Sequence, residues 1–256
     1  MTADLNEAKA FWFKRIADAK ARMSADELKE RVSDYPAPLE FLACLRSKQS
    51  KDGFAVIGEI GKPDMAISLF DPAELARAYE LGGAAGLAII SDCATTGRDL
   101  WHLQLARGAT RLPVLCGDLM LDPYQIYQAR SWGADCICIN IDAVADPVAQ
   151  LLEQEARALA MEIIVEISNE QGLARAVRLG APLLCINQID LAHSERLMKD
   201  APGRFFVVSR GANYNHMDCL RLTQSNIGAI VINESRARPR DAAVAMERVV
   251  QGHLAG

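Results

Sequence analysis

Hydrophobic and polar positions follow a repeating order along most of this chain. From residue 54 onward, short apolar runs rich in β-branched residues alternate with longer amphipathic segments. Parallel β–α units show this order, because each buried strand is followed by a helix that covers it. The pattern predicts eight strands, at residues 54–59, 87–91, 113–116, 135–140, 162–167, 183–187, 205–209 and 228–232.

The segments between these strands predict helices, and several of them end in a glycine that can close a helix, such as Gly82 and Gly180. Eight repeats in about 200 residues favour a closed barrel over an open sheet. No G-x-G-x-x-G follows the first strand and no Walker sequence occurs, which argues against a doubly wound nucleotide-binding domain. The predicted fold class is α/β, a single (β/α)8 TIM barrel.

Residues 1–53 precede the first predicted strand and have a different pattern. They show helical periodicity at about residues 4–20 and 24–31, and a proline-marked turn then leads into a third predicted helix. We expect residues 1–53 to be an N-terminal helical extension packed on the barrel of residues 54–256. Phe11, Trp12 and Phe13 are predicted to form the docking face of the first helix.

Composition and charge exclude several classes of protein. The 28 Lys and Arg residues and 33 Asp and Glu residues give a net charge of −5, which argues against a nucleic-acid-coating protein. No apolar stretch approaches the roughly 18 residues that span a bilayer, and the N-terminus lacks the apolar centre of a signal peptide. We expect a cytoplasmic protein without a nucleic-acid or membrane partner, either a monomer or a homodimer.

The cysteines and histidines do not predict a metal site. The seven cysteines contain no C-x-x-C pair, and the four histidines are scattered along the chain. Cys136, Cys138 and Cys185 lie within predicted strands, as small hydrophobic residues would. We therefore expect reduced thiols, no metal and no cofactor.

Candidate site residues follow from the strand assignments, because barrels of this kind place their chemistry at the C-terminal ends of the strands. Glu59 and Glu166 carry the most weight, since a carboxyl group set in an apolar strand is suited to proton transfer. The alternative is that each glutamate pairs with a cation or caps a loop. The full set at the predicted mouth is Glu59, Asp92, Asp118, Asn140, Asp142, Glu166, Asn187, Gln188, Asp190, Ser209, Arg210, Asn233 and Glu234.

Cations are scarce among these positions. Only Lys62, just past strand 1, and Arg210, just past strand 7, are placed to reach the predicted mouth. Lys62 has the alternative of an ordinary solvated loop lysine. Arg210 precedes Gly211, and a guanidinium there could hold a carboxylate or a phosphate in a fork.

One long segment resembles a known family. The sequence PVLCGDLMLDPYQIYQARSWGADCICI at residues 113–139 is similar to the segment from strand 3 to strand 4 of indole-3-glycerol phosphate synthase. VIGEI at strand 1, IVEIS at strand 5 and INQIDL at strand 6 extend the similarity over roughly residues 38–250. That family consists of (β/α)8-barrel enzymes that decarboxylate and ring-close an anilino-deoxyribulose phosphate in tryptophan biosynthesis. The resemblance therefore implies a carboxy-lyase.

Only some of the family's catalytic residues are matched in this chain. Glu59, Glu166 and Asn187 match the family's two glutamates and its strand 6 asparagine. The family's strand 1 lysine is replaced by Gly61, and its strand 3 lysine, which acts as a general acid, is replaced by Gly117.

Further departures affect the family's phosphate site. Ile189 stands where the family has an arginine, and Arg210 stands where it has a serine before the strand 7 glycine. Asn233 and Glu234 replace the glycine and small hydroxyl residue that bind phosphate after strand 8. A carboxylate at that point would repel phosphate.

These observations lead to a first hypothesis and two alternatives. The first is a diverged paralogue with lyase or cyclisation chemistry on a small anionic metabolite, aromatic or carboxylated. Glu59, Glu166 and Asn187 are its predicted catalytic residues, and its predicted substrate-binding residues are Lys62, Asp118, Arg210, Gly211 and Asn233. The first alternative is the retained family reaction, with Lys62 and Arg210 supplying the missing cations. The second is a non-catalytic barrel that binds a ligand or a partner enzyme.

Overall fold

Eight parallel strands close into a barrel in the order of the sequence. The structure is a computed structural model that describes residues 2–61, 71–90, 101–187, 191–199, 203–211, 221, 224, 227–233 and 239–254. It confirms the predicted (β/α)8 fold, and each strand lies within two residues of its predicted position. The strands are β1 (Ala55–Ile60), β2 (Gly86–Ile89), β3 (Val114–Cys116), β4 (Cys136–Asn140), β5 (Glu162–Ile167), β6 (Leu183–Asn187), β7 (Phe206–Arg210) and β8 (Ala229–Asn233).

Ten helices occur among the described residues, three before the barrel and seven around it. Local sequence signals set several of their ends. Asp71 begins α4 by accepting hydrogen bonds from the backbone amides of Ala73 and Glu74, and Gly180 ends α8 with a φ of +78°. The helices are α1 (Thr2–Arg22), α2 (Ala25–Ser33), α3 (Phe41–Asp52), α4 (Pro72–Leu81), α5 (Trp101–Ala109), α6 (Tyr124–Ser131), α7 (Asp146–Ala158), α8 (Glu170–Leu179), α9 (Leu191–Lys199) and α10 (Pro239–Leu254).

The strands are apolar on both faces because they separate two cores. Alternate residues such as Val56 and Ile60 of β1 belong to the outer core, between the sheet and the helices. Their neighbours, such as Ile57, belong to the inner core within the barrel, together with Cys138 and Cys185. Because successive side chains of a strand point to opposite faces, every second strand position faces the barrel interior.

Helix α3 closes the N-terminal end of the barrel. Its Phe41 and Leu45 are fully buried in the inner core, and the backbone amide of Leu42 donates a 2.8 Å hydrogen bond to Glu162 at the start of β5. Any ligand of the described barrel interior must therefore enter from the C-terminal end of the strands.

The first two helices pack against α6. The Tyr124 hydroxyl donates hydrogen bonds to the backbone carbonyls of Ala19, at 3.0 Å, and Met23, at 2.9 Å. Trp12 packs on the outer core, but Phe13 is 55% exposed, so the predicted docking face does not include Phe13. Adjacent helix residues point about 100° apart, which prevents three successive residues from sharing one face. The division at residue 53 stays a prediction.

No helix in the part of the chain that the structure describes combines the length and the apolar character needed to cross a membrane.

Candidate active site

The C-terminal strand ends bring the predicted acids together on the inner face of the barrel. Strand register places Glu59 beside Asn233, Asn140 beside Glu166, and Asn187 beside Arg210. Because strand positions alternate between the two faces, all of these residues belong to one layer of inward-facing side chains.

Arg210 forms a bridge between the two glutamates. Its Nε lies 2.7 Å from Oε2 of Glu59, and its Nη1 lies 3.2 Å from Oε2 of Glu166. The two glutamate side chains are 8% and 10% exposed, whereas the Arg210 side chain is 29% exposed. One guanidinium therefore holds two buried carboxylates and itself faces the mouth of the barrel. This geometry agrees with both interpretations of the two glutamates. They can be a proton-transfer pair, and they can be partners of a cation.

Two asparagines hold the other carboxylate oxygens. Nδ2 of Asn233 donates a 2.7 Å hydrogen bond to Oε1 of Glu59, and Nδ2 of Asn140 donates a 2.8 Å hydrogen bond to Oε1 of Glu166. The backbone amide of Asp142 donates to Oδ1 of Asn140, which fixes the orientation of that side-chain amide. Each glutamate is thus held by an asparagine on one oxygen and by Arg210 on the other.

The electrostatics of this layer keep Arg210 charged. Burial alone would lower the pKa of Arg210, but the carboxylates of Glu59 and Glu166 outweigh it and raise that pKa above its ordinary value. Burial also raises the pKa of the Cys138 and Cys185 thiols, and the nearby Glu166 carboxylate adds to that effect. These two thiols are therefore neutral, and they are poor nucleophiles.

A narrow cavity lies directly beneath the Arg210 bridge. The cavity has a volume of about 20 Å³, enough for roughly one water molecule. Apart from the three charged residues of the bridge, its described walls are apolar or glycine. They are Ile57, Glu59, Ala88, Ile90, Leu115, Gly117, Cys138, Ile164, Glu166, Cys185, Val208, Arg210 and Val231.

Two of the predicted mouth residues lie away from this cavity. Ser209 is fully buried and alternates with the inward-facing Val208 and Arg210, so it faces the outer core. Asp118 is 4% exposed, and its carboxylate lies 3.9 Å from Sγ of Cys116, a residue of the outer core. The predicted role of Asp118 in substrate binding stays untested.

Other predicted residues lie at the rim of the mouth. Asn187 is exposed at the end of β6, Gly211 is exposed directly after β7, and Asp142 accepts a 2.5 Å hydrogen bond from the Ser168 hydroxyl. The remaining predicted positions lie outside the described residues, namely Lys62, Asp92, Gln188, Asp190 and Glu234. Among the side chains that the structure describes, no group of three or more His, Cys, Asp or Glu residues could hold a metal ion.

Comparison with known proteins identifies the family. The model of the indole-3-glycerol phosphate synthase family matches residues 5–249. The chain belongs to this family. An indole-3-glycerol phosphate synthase from Zymomonas mobilis is 32% identical over 94% of this chain and 96% of its own length. The indole-3-glycerol phosphate synthase 2 of Ralstonia nicotianae is also 32% identical, over 94% of both chains.

Solved structures with low sequence identity share the fold. The thiamine phosphate pyrophosphorylase of Pyrococcus furiosus superposes with a TM-score of 0.60 at 13% identity, covering 80% of this chain and 99% of that one. The N-acetylmannosamine-6-phosphate 2-epimerase of Clostridium perfringens gives 0.61 at 12% identity, covering 81% and 95%. At this identity the similarity concerns the barrel alone.

The two positions where the indole-3-glycerol phosphate synthase family carries lysine differ in their surroundings here. A Cβ atom at Gly61 would lie 3.6 Å from Nδ2 of Asn233 and 3.9 Å from Oε1 of Glu59, which are ordinary contacts. A Cβ atom at Gly117 would lie only 2.5 Å from Cδ1 of Ile90. A Cβ atom at position 117 therefore requires the terminal methyl group of Ile90 to move, whereas position 61 has room for a Cβ atom.

Sequence reasoning missed two features of this family site. Asn140 was placed at the mouth but given no role, although its strand register beside Glu166 makes it a partner of that carboxylate. Ile90 lies in the predicted strand at residues 87–91 as one of several apolar residues, without any signal of function. The position of Glu166 and its neighbouring strand could have indicated Asn140, whereas nothing in the sequence points to Ile90.

Proposed function

We propose that the chain is a diverged member of the indole-3-glycerol phosphate synthase family that acts on a small anionic metabolite, aromatic or carboxylated. The reaction class that fits this ancestry is a carbon–carbon lyase or a dehydrating cyclisation. The observation that supports divergence most directly is the Arg210 bridge to Glu59 and Glu166, in a site with glycine at both family lysine positions.

The residues have distinct roles in this proposal. Glu166 and Glu59 act as the acid and base pair, and Asn187 orients the substrate at the rim. Arg210 binds the anionic group of the substrate, because its guanidinium is the part of the bridge that faces the mouth. The other residues proposed to contact the substrate are Lys62, Asp118, Gly211 and Asn233.

Loss of the strand 3 lysine is the strongest chemical reason to expect a changed reaction. Removal of a general acid costs about a hundred- to ten-thousand-fold in rate. The Cδ1 atom of Ile90 crowds the place where the side chain of residue 117 would begin. A Cβ atom at residue 117 would require this methyl group to shift, and no described side chain takes the lysine's position.

Retention of the family reaction is a second candidate. It is favoured by the 32% identity to enzymes named indole-3-glycerol phosphate synthase, which extends over 94% of this chain. In that case Lys62 and Arg210 would supply the cations that Gly61 and Gly117 do not. Both candidates use Glu166 and Glu59, so they differ in substrate and not in the location of the chemistry.

One assay separates the two candidates. The purified protein is mixed with the carboxyphenylamino-deoxyribulose phosphate of the family reaction, and indole fluorescence is followed. Divergence predicts no signal above that of the Glu166→Gln variant. A signal that disappears in Glu166→Gln would establish the retained reaction and overturn the proposal of divergence.

A gain-of-function variant gives a positive control for this assay. We expect Gly117→Lys combined with Ile90→Ala to turn over the family substrate faster than Ile90→Ala alone, because the pair restores the lysine and the space for it. Equal rates in the two variants would show that the missing lysine is not what limits the reaction. A set of small aromatic and aliphatic carboxylates, tested by thermal shift, then identifies ligands of the unaltered protein.

A further inference from the structure

The loop of residues 141–145, between β4 and α7, reaches the candidate active site through Asn140. Oδ1 of Asn140 accepts hydrogen bonds from the backbone amides of Asp142, at 3.1 Å, and Ala143, at 3.2 Å. Nδ2 of the same side chain donates a 2.8 Å hydrogen bond to Oε1 of Glu166. The loop therefore contacts one end of the Asn140 amide, and the buried carboxylate contacts the other.

The direction of this amide decides whether it stabilises the glutamate. The nitrogen of an asparagine amide donates hydrogen bonds, whereas its oxygen only accepts them. A carboxylate also accepts hydrogen bonds, so a reversed amide would place its oxygen against Glu166 and repel it. The two backbone amides bonded to Oδ1 favour the observed direction. A loop that holds its position therefore keeps Nδ2 of Asn140 on Glu166.

Arg175 holds the backbone of this loop from outside the barrel. It lies on α8, the helix that follows β5 and packs against it. Its Nη1 donates to the carbonyl of Ile141, and its Nη2 donates to the carbonyl of Val144 at 2.6 Å. Its Nε donates at 2.6 Å to Oδ1 of Asp146, the first residue of α7. One guanidinium therefore binds both the start of the loop and its end.

The position of Arg175 ties the loop to the strand that carries Glu166. The Arg175 side chain is 17% exposed, and a planar guanidinium presents its N–H donors in a rigid fork. Three acceptors in different directions leave such a fork little freedom. Arg175 lies on the helix directly after β5, so the loop is fixed relative to the same β–α unit as Glu166. The Ser168 hydroxyl, just past β5, adds a hydrogen bond to the Asp142 carboxylate.

We propose that Arg175 is a positioning residue for the candidate active site. It fixes the loop of residues 141–145, and the loop keeps the Asn140 amide directed at Glu166. The hydrogen bonds of Arg175 in the described part of the chain go to this loop and to Asp146, so Arg175 acts on Glu166 through Asn140. That this contact serves a reaction rests on the proposed function of Glu166, whereas the positioning itself does not.

Arg178 provides a matched control on the same helix. Its Nη2 donates to Oδ2 of the same Asp146 at 3.1 Å, and its Nη1 donates to the Ala174 carbonyl of its own helix. Its side chain is 61% exposed. Both arginines pair with Asp146, but within the described residues 101–187 only Arg175 donates to the loop carbonyls. A comparison of Arg175→Met with Arg178→Met therefore isolates the contact with the loop.

Nuclear magnetic resonance of the asparagine side-chain amides measures the effect. The Asn140 signal is the one lost in Asn140→Ala, and the Asn233 amide, which holds Glu59, is an internal reference. We expect Arg175→Met to speed the exchange of the Asn140 amide protons with solvent at least about tenfold, because their hydrogen bond to a charged group is lost. Arg178→Met should leave that rate unchanged, and neither variant should alter the rate of Asn233.

A lysine variant separates the contact with the loop from the charge. Arg175→Lys keeps the positive charge beside Asp146, but a single ammonium group cannot span two carbonyls and a carboxylate as the fork does. We expect Asn140 to exchange as fast in Arg175→Lys as in Arg175→Met. Because lysine retains the charge and an aliphatic stem, Arg175→Lys also tests the inference if Arg175→Met does not fold.

Three results would overturn the inference. Unchanged exchange of Asn140 in the Arg175 variants would show that the loop does not need this residue. Exchange restored to the rate of the unaltered protein by Arg175→Lys would reduce Arg175 to a charge partner of Asp146. Equal acceleration of Asn140 and Asn233 would show a general loss of structure instead of positioning. None of these results depends on turnover, so the turnover assay with Glu166→Gln tests the proposed function separately.

Discussion

The two ends of the barrel each bury a charged cluster, and the two clusters have opposite composition. At the closed end, Asp135 lies between two arginines, 2.9 Å from Nη1 of Arg107 and 3.8 Å from Nη1 of Arg130. At the open end, Arg210 lies between the carboxylates of Glu59 and Glu166. The closed end therefore has one carboxylate between two cations, whereas the open end has one cation between two carboxylates.

The clusters differ more in what holds them than in charge. Asp135 accepts hydrogen bonds from the backbone amides of Leu39 and Val114, at 2.9 and 2.8 Å. Arg107 donates to two backbone carbonyls beside it, and Arg130 does the same. The closed-end cluster is thus part of the backbone framework that joins the segment before α3 to β3 and β4.

Among the described residues, side chains provide the contacts given for the two glutamate carboxylates at the open end. Asn140 and Asn233 donate hydrogen bonds to Glu166 and Glu59, and Arg210 donates a hydrogen bond to Glu166 and forms an ion pair with Glu59. A charge held by the backbone is fixed with the fold, whereas a charge held by other side chains can be rearranged by a ligand. This difference separates a structural cluster from a candidate active site.

The largest expected effect on the free energy of unfolding comes from a substitution that breaks the closed-end cluster. Asp135→Asn should lower the free energy of unfolding by about 3 kcal/mol, because it leaves the buried Arg130 without its counter-charge. Asp146→Asn is the matched control, since its side chain is 48% exposed and its ion pairs should contribute less than about 1 kcal/mol. Urea denaturation measures both, and equal losses would contradict the comparison.

A pair of arginine variants should show opposite effects. Arg210→Met should reduce the affinity for a small aromatic carboxylate such as benzoate at least about tenfold, because a charged hydrogen bond contributes about 1.5–3 kcal/mol. Arg107→Met should leave benzoate affinity unchanged and lower the free energy of unfolding more than Arg210→Met does. Calorimetry measures the benzoate affinity of both variants, and urea denaturation measures their free energies of unfolding. The prediction is refuted if the same variant shows the larger loss in both measurements.

A smaller effect concerns the asparagine partners. In a double-mutant cycle we expect a coupling energy of about 1 kcal/mol between Asn140 and Glu166, since their side chains are hydrogen-bonded at 2.8 Å. The pair Asn140 and Glu59 is the control, with a coupling below about 0.5 kcal/mol. The cycle is measured by urea denaturation of the alanine variants, and similar couplings in both pairs would argue against a specific asparagine partner for each glutamate.

The smallest effect is a pH dependence at the closed end. Burial raises the pKa of Glu162 above its ordinary 4.5, although the backbone amides of Leu42 and Phe41 hydrogen-bond to its carboxylate. A raised pKa means that the contribution of Glu162 to stability is present below pH 4.5 and lost as pH rises through the shifted value. Glu162→Gln should remove this loss, a change of less than about 1 kcal/mol. Urea denaturation from pH 4 to pH 7 measures it, and parallel curves for the two proteins would contradict the prediction.

The fold was predictable from the sequence because its signals are local. Continuous apolar runs such as LLCIN at residues 183–187 can be recognised without any tertiary information, and helix ends such as Asp71 carry their own capping signals. The family resemblance depended in the same way on one unbroken segment, residues 113–139. The docking face of α1 was predicted less well, because three adjacent aromatic residues do not reveal which of them points inward.

What the sequence by itself determined is the barrel, the family and the set of residues at the strand ends. Only the tertiary structure decided how those residues pair, because Asn233 and Glu59 are 174 positions apart and Arg210 and Glu166 are 44 apart. Strand order and register bring such residues into one layer, but side-chain length and direction select their partners within it. In the tertiary structure Arg210 forms ion pairs with both glutamates, and the side chain of Ile90 lies against Gly117.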